Sequence, residues 1–131
     1  MKKGSGAVFT SQTDNWKTPE AFYMALDAEF HFDHDPCPLK PKVDGLKSEW
    51  GGCNFVNPPY SDLERWIVKG WEQYKKGKTV VFLIPSRTSN GWFHDYCLKA
   101  TEIRFIRGRL KFGDGKSNAP FPSCIVIFEG K

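Results

Sequence analysis

The chain has 131 residues, 40% hydrophobic and 26% charged; this fits one globular domain and excludes a two-domain enzyme, a disordered chain and a set of membrane spans. Its formal charge of +4 is unevenly spread: residues 14–64 carry ten acids against four bases, residues 75–116 ten bases against three acids. That split suits a protein with one face turned to a polyanion, and the first residues lack the apolar stretch of a secretory signal, so a cytoplasmic protein is expected.

Residues 1–13, rich in Gly, Ser, Thr and Gln, are expected to form a flexible leader before a single domain over 14–131. Thr18-Pro19-Glu20 predicts a helix start, with Thr18 as the cap and Pro19 in the first turn. Phe22, Leu26 and Phe30 continue it as an apolar stripe. Residues 31–36 read as a short strand ended by Pro36, and 38–50 as loop. A second short strand over 52–57 is stopped by Pro58-Pro59. Ser61 is the expected cap of a helix carrying Leu63, Trp66, Ile67, Gly70, Trp71 and Tyr74, which closes at Lys75-Lys76-Gly77.

Thr79 to Ile84 is a continuous β-branched and apolar run, the pattern of a central strand buried on both faces. A helix over 90–100 follows, then strand-like segments at 103–106 and 110–112, a loop over 113–122 and a last strand at 125–128. Four widely spaced cysteines, Cys37, Cys53, Cys97 and Cys124, form no CxxC pair and read as free thiols. Helices alternating with buried strands imply an α/β sheet, whose ligands gather outside the carboxyl ends of the strands. The strand-ending segments Asp33-His34-Asp35-Pro36, Asn57-Pro58-Pro59-Tyr60 and Pro85-Ser86-Arg87 are therefore expected along one edge.

The most specific of these is Asn57-Pro58-Pro59-Tyr60. Two prolines fix the backbone and remove two amide donors, leaving acceptors beside an aromatic ring. Acceptors gripping the hydrogens of a heterocyclic amine favour the tetrahedral nitrogen needed to attack an electrophilic methyl group, and Tyr60 is placed to stack on the ring. Along the preceding strand, alternation puts His31, Asp33 and Asp35 on one face and His34 on the other, an unclosed ligand set from which no metal site is expected.

Asn57-Pro58-Pro59-Tyr60 resembles the (Asp/Asn/Ser)-Pro-Pro-(Tyr/Phe/Trp) signature of amino-group methyltransferases. The ordered series Trp16-Lys17-Thr18-Pro19, Phe32 to Cys37, Asn57 to Ser61, Gly108 to Phe112 and Ala119 to Ser123 is similar to the phage and prophage DNA adenine methyltransferases, over nearly the whole chain. The resemblance implies a compact, reduced Rossmann-like sheet with helices on both faces. It also implies methyl transfer from S-adenosylmethionine to the exocyclic amine of a flipped adenine in double-stranded DNA, in the host cytoplasm if phage-encoded. Asn57 and Pro58 would grip the amine and Tyr60 would stack on the ring, with Pro59 completing the catalytic set. One departure is the lack of a GxG loop after the first strand. Asp35-Pro36 is its nearest equivalent; Asp33 and Asp35 are candidate acceptors for the cofactor, with Trp16 and Thr18 closing the pocket.

Arg87, Arg107, Arg109, Lys111 and Lys116 lie at strand ends or in loops where cations reach phosphates, so they are the candidate DNA contacts. The same corner would also grip a planar amide in a protein or a base in RNA. A catalytically idle nucleic-acid-binding module is the reading from a different class. Target sequence and oligomeric state are not encoded in these motifs.

Overall fold

The computed structural model describes residues 17–111 and 120–131; the expected leader, Trp16, Phe112 and Lys116 with its loop neighbours lie outside them. Helix α1, Glu20–Phe30, begins one residue later than expected: Pro19 occupies the cap position and its carbonyl accepts from the Tyr23 amide at 3.0 Å. The helix ends where His31 turns into the left-handed region at φ 58°. Asp27 holds that turn, its backbone oxygen accepting from the His31 amide and its carboxylate from the Phe32 amide.

The segment expected as a first strand makes only an isolated parallel bridge, His34 to Asn54. It still runs along β1, Cys53–Val56, through the Asp33 amide on the Cys53 carbonyl and the Phe55 amide on the His34 carbonyl. A 3₁₀ turn, Tyr60–Asp62, leads into α2, Leu63–Lys75, so that Asp62 and not Ser61 takes the cap position. Gly77 ends that region at φ 97°, a left-handed conformation that glycine adopts without steric cost. Strand β2 is Thr79–Pro85. The helix expected over 90–100 divides into α3, Gly91–Asp95, and a 3₁₀ turn, Cys97–Lys99. Strands β3, Glu102–Phe105, and β4, Ser123–Phe128, complete the fold; Leu110 and Lys111 are in no strand.

The sheet order is β1-β2-β4-β3. Strands β1 and β2 pair in parallel, whereas β4 is antiparallel to both β2 and β3. Strands β1, β2 and β3 therefore point the same way, with β4 inserted against them. Side chains alternate across the pleat, which explains the continuous apolar run of β2. Val80, Phe82 and Ile84 join Leu63, Trp66 and Ile67 of α2 and Trp92 and Phe93 of α3, while Val81 and Leu83 join Leu26 of α1. Both faces of the sheet thus carry helices. Helix α2 sits so close that a Cβ at Gly70 would run into the Phe82 ring, and the dense interior leaves that ring little room to yield.

Two buried polar side chains stitch the amino ends of the strands. Asn54 exchanges hydrogen bonds with the backbone of Gly51 and donates to the Thr79 carbonyl. Gln73, 1% exposed, accepts from the Trp50 amide at 3.2 Å and from Lys78 Nζ at 2.6 Å. Each makes up hydrogen bonds that burial would otherwise leave unmade. None of the four cysteines is joined in a disulfide, and no described helix is long and apolar enough to cross a membrane.

Candidate active site

Parallel pairing brings the carboxyl ends of the His34 segment, β1 and β2 to one edge. Asn57 to Tyr60 leaves that edge from β1, and Ser86-Arg87 leaves it from β2. Pro59 is extended, at φ −63° and ψ 133°, and its carbonyl accepts from the Asp62 amide at 3.1 Å. The corner is rigid because two consecutive φ angles are fixed by pyrrolidine rings.

Asn57 Nδ2 donates to Thr18 Oγ1 at 3.0 Å, and the Tyr60 hydroxyl lies 3.5 Å from Asn57 Oδ1. Thr18 therefore engages the Asn57 side chain instead of capping α1. Tyr60 is 8% exposed and packs edge-on against Phe121, ring centroids 5.1 Å apart. Burial pushes its phenol well above the ordinary value of 10, opposed by the charge of Arg87. The hydroxyl thus keeps its proton.

Beside Asn57 opens a cleft of about 370 Å³. Lys17, Thr18, Glu20 and Tyr23 wall it from the start of α1, and Phe55, Asn57, Asp35, Cys37 and Leu39 from β1 and the segment beside it. The Asp35 carboxylate accepts from the Cys37 amide at 2.9 Å. Although one side of Asp35 meets solvent, desolvation by the surrounding protein raises its pKa above 3.8, against the lowering effects of that bond and of His34. A second hollow of about 300 Å³ shares Asp35 as a wall. It is also lined by His34 and Ser48, whose Nε2 and Oγ atoms are buried with no hydrogen-bond partner among the described residues.

Two acids expected together are separated. Asp35 lines the cleft, whereas the Asp33 carboxylate accepts from the Cys53 amide at 3.3 Å and lies against Gly51. Asp33 is two residues further from the carboxyl edge, about 6–7 Å along an extended chain. Pro36 is buried and lines a neighbouring hollow with Val43 and Trp66 rather than the cleft. Lys17, Glu20, Tyr23 and Phe55 are cleft residues that sequence reasoning did not single out; for three of them the available signal was their place within one turn of Thr18-Pro19. No three His, Cys, Asp or Glu side chains converge as a metal-ligand set among the described residues.

Arg87 is exposed directly after β2. Arg107, Arg109 and Lys111 are exposed on the chain leaving β3, a chain tied to the same edge by the Ile106 amide on the Ser123 carbonyl and the Ser86 amide on the Pro122 carbonyl. Arg104, inside β3, is instead held by Glu29 and Glu102 at 2.6 and 2.8 Å. The basic half of the sequence thus reaches the cleft edge through loops.

A protein from Escherichia phage T1, described as a DNA N-6-adenine-methyltransferase, is 27% identical over 110 residues, covering 74% of this chain and 46% of that protein. The chain thus spans about half the length of the curated relative it matches. No solved structure matches it. The model of the DNA N-6-adenine-methyltransferase (Dam) family matches residues 6–128, a span that takes in the Asn57 corner, the Asp35 cleft and β4. By that match, the chain belongs to the DNA N-6-adenine-methyltransferase (Dam) family.

Proposed function

We propose that the chain transfers a methyl group from S-adenosylmethionine to the exocyclic amine of adenine in double-stranded DNA, acting in the cytoplasm of a bacterial host. The observation that carries this reading is that Asn57 belongs at once to the rigid Pro-Pro corner and to the wall of the acidic cleft. A group held in the cleft and an amine held by the corner therefore meet at one side chain. The parallel β1-α2-β2 unit supports the Rossmann-like reading of the fold, with the site at the carboxyl edge where such sheets bind ligands.

The residues present fit the cofactor. Its sulfonium, ammonium and carboxylate groups sum to one positive charge, and the cleft offers Lys17 against Glu20 and Asp35. The two unpartnered buried atoms of His34 and Ser48, across Asp35, suit the hydroxyl and ring-nitrogen groups of a nucleoside. When bound, the cofactor supplies an electrophilic methyl group. Asn57 Oδ1 accepts a hydrogen of the amine and so favours the pyramidal nitrogen that attacks. Pro58 and Pro59 keep that acceptor fixed, so catalysis comes from positioning rather than from a strong base. Tyr60 supports the corner through its hydroxyl; a base that stacks on its ring needs more of the ring than the 8% exposed beside Phe121. Arg87, Arg107, Arg109 and Lys111 supply phosphate contacts.

The test is transfer of tritium from labelled S-adenosylmethionine to duplex DNA, RNA and protein in parallel. Label on N6 of adenine in DNA is expected. Label only in RNA or protein, or none with folded protein and varied duplex sequences, would overturn the proposal.

A further inference from the structure

An asparagine side chain presents two ends that are nearly alike in shape and opposite in chemistry: Oδ1 accepts, Nδ2 donates, and a half-turn about its last torsion exchanges them. Gripping an amine requires the accepting end. Rigid prolines after Asn57 fix where the side chain starts but leave that half-turn undecided, so something else must decide it.

We infer that Thr18 is the positioning residue that, with the Tyr60 hydroxyl at the other end of the amide, holds Asn57 in the orientation it needs. This rests on the methyl-transfer reading above. Thr18 Oγ1 lies 3.0 Å from Nδ2, across 39 residues of sequence, and the Tyr60 hydroxyl lies at Oδ1. A tyrosine hydroxyl that keeps its proton favours Oδ1 as its acceptor, which leaves Nδ2 to Thr18. Thr18 is itself restricted, because the residue before a proline is confined to extended backbone, and Pro19 is anchored by the first turn of α1. Thr18 also lines the cleft. The residue that shapes the cofactor side of the site therefore also orients the acceptor on the base side.

The experiment compares Thr18→Val and Thr18→Ser in two backgrounds, the natural Asn57 and Asn57→Asp. Aspartate is allowed by the signature at this position and has two like oxygens, so its orientation carries no information. Thr18→Val keeps the shape and removes the hydroxyl. With Asn57 present, it is expected to lower kcat by about tenfold or more. Any rise in its Kd for S-adenosylmethionine, read by calorimetry, should be smaller than the loss in kcat, and Thr18→Ser should restore most of the turnover. In the Asn57→Asp background no orientation is left to set, so the same Thr18→Val change should cost less than about threefold. An equal cost in both backgrounds, or a loss confined to cofactor affinity, would overturn the inference.

A second readout does not depend on turnover. Proton exchange of the Asn57 side-chain amide, followed by NMR, should be slow in the natural protein and in Thr18→Ser and about tenfold faster in Thr18→Val. Equal exchange in all three would also overturn the inference. If the natural protein methylates no DNA, the proposed function fails, and the exchange measurement still decides what Thr18 does to Asn57.

Discussion

The two ends of the sheet are built from similar residue types and behave differently. At the amino end, Lys78 Nζ meets Glu49, the Trp50 carbonyl and Gln73 within 2.6–2.7 Å, and Asn54 is satisfied by Gly51 and Thr79. At the carboxyl end, prolines withdraw backbone donors, and desolvation raises the Asp35 pKa. Saturated hydrogen bonding makes one end a clamp. The other end, with fewer backbone donors to hold its side chains, leaves Asp35 and Asn57 on the wall of the cleft.

The contrast can be broken by moving one residue at each end. Asn57→Ala should reduce methyl transfer at least about 100-fold, the scale seen when one transition-state hydrogen-bonding group is removed. Its thermal midpoint should fall by no more than about 5 °C by calorimetry, because Asn57 is only half-buried and its loss takes one partner each from Thr18 and the Tyr60 hydroxyl. Gln73→Ala should do the reverse. It strands the Trp50 amide, takes one of the three acceptors around Lys78 and opens a void, so urea unfolding should show a loss of about 2–4 kcal/mol while the kcat of the folded protein is unchanged.

Smaller effects sharpen the comparison. Asp35→Asn should weaken S-adenosylmethionine binding about tenfold in calorimetry, the scale of one charge-assisted hydrogen bond. Because burial raises the Asp35 pKa above 3.8, ionisation of this carboxyl opposes folding. The stability it favours is present below pH 3.8 and is lost as pH rises through the raised value. Asp35→Asn should therefore be slightly more stable than the natural protein at neutral pH, with the difference vanishing in acid. As pH is lowered, affinity in the natural protein should begin to fall at a higher pH than an ordinary aspartate would give.

At the clamp the sign is opposite. Lys78 and then Lys76 hold the Glu49 carboxyl down to about 2, from an ordinary 4.5. Its contribution is present above pH 4.5 and lost as pH falls through about 2. Glu49→Gln should lower the melting temperature slightly at pH 7, less so in high salt, and the gap should close between pH 4.5 and 2.

Much of this was legible in the sequence where local chemistry decides the outcome. The β-branched run of β2 announced a central strand, and strand ends marked by Asp35-Pro36, Asn57-Pro58 and Pro85 converged on one edge as alternation of helix and strand required. What was not legible depends on partners distant in sequence. Thr18 looks like a helix cap because the cap rule sees only Pro19 and Glu20, not Asn57. Asp33 and Asp35 share an alternation face, but only their distance from the sheet edge shows that one serves β1 and the other the cleft. Gln73 reads as a polar position on a helix surface until Lys78 and Trp50 are placed around it.

The insertion of β4 between β2 and β3 has a consequence for the order of events during folding. Among the described residues, strand β3 finds no sheet partner except β4, and β4 finds its place against β2 only by pairing Val80 with Phe128 and Pro85 with Ser123. These contacts join residues about 40–50 positions apart, and such distant pairings are slow to form. A chain still emerging from the ribosome can assemble α1, β1, α2 and β2 but leaves the apolar flank of β2 open until residues 123–128 arrive. The proton-exchange protection of β3 should therefore appear only together with that of β4.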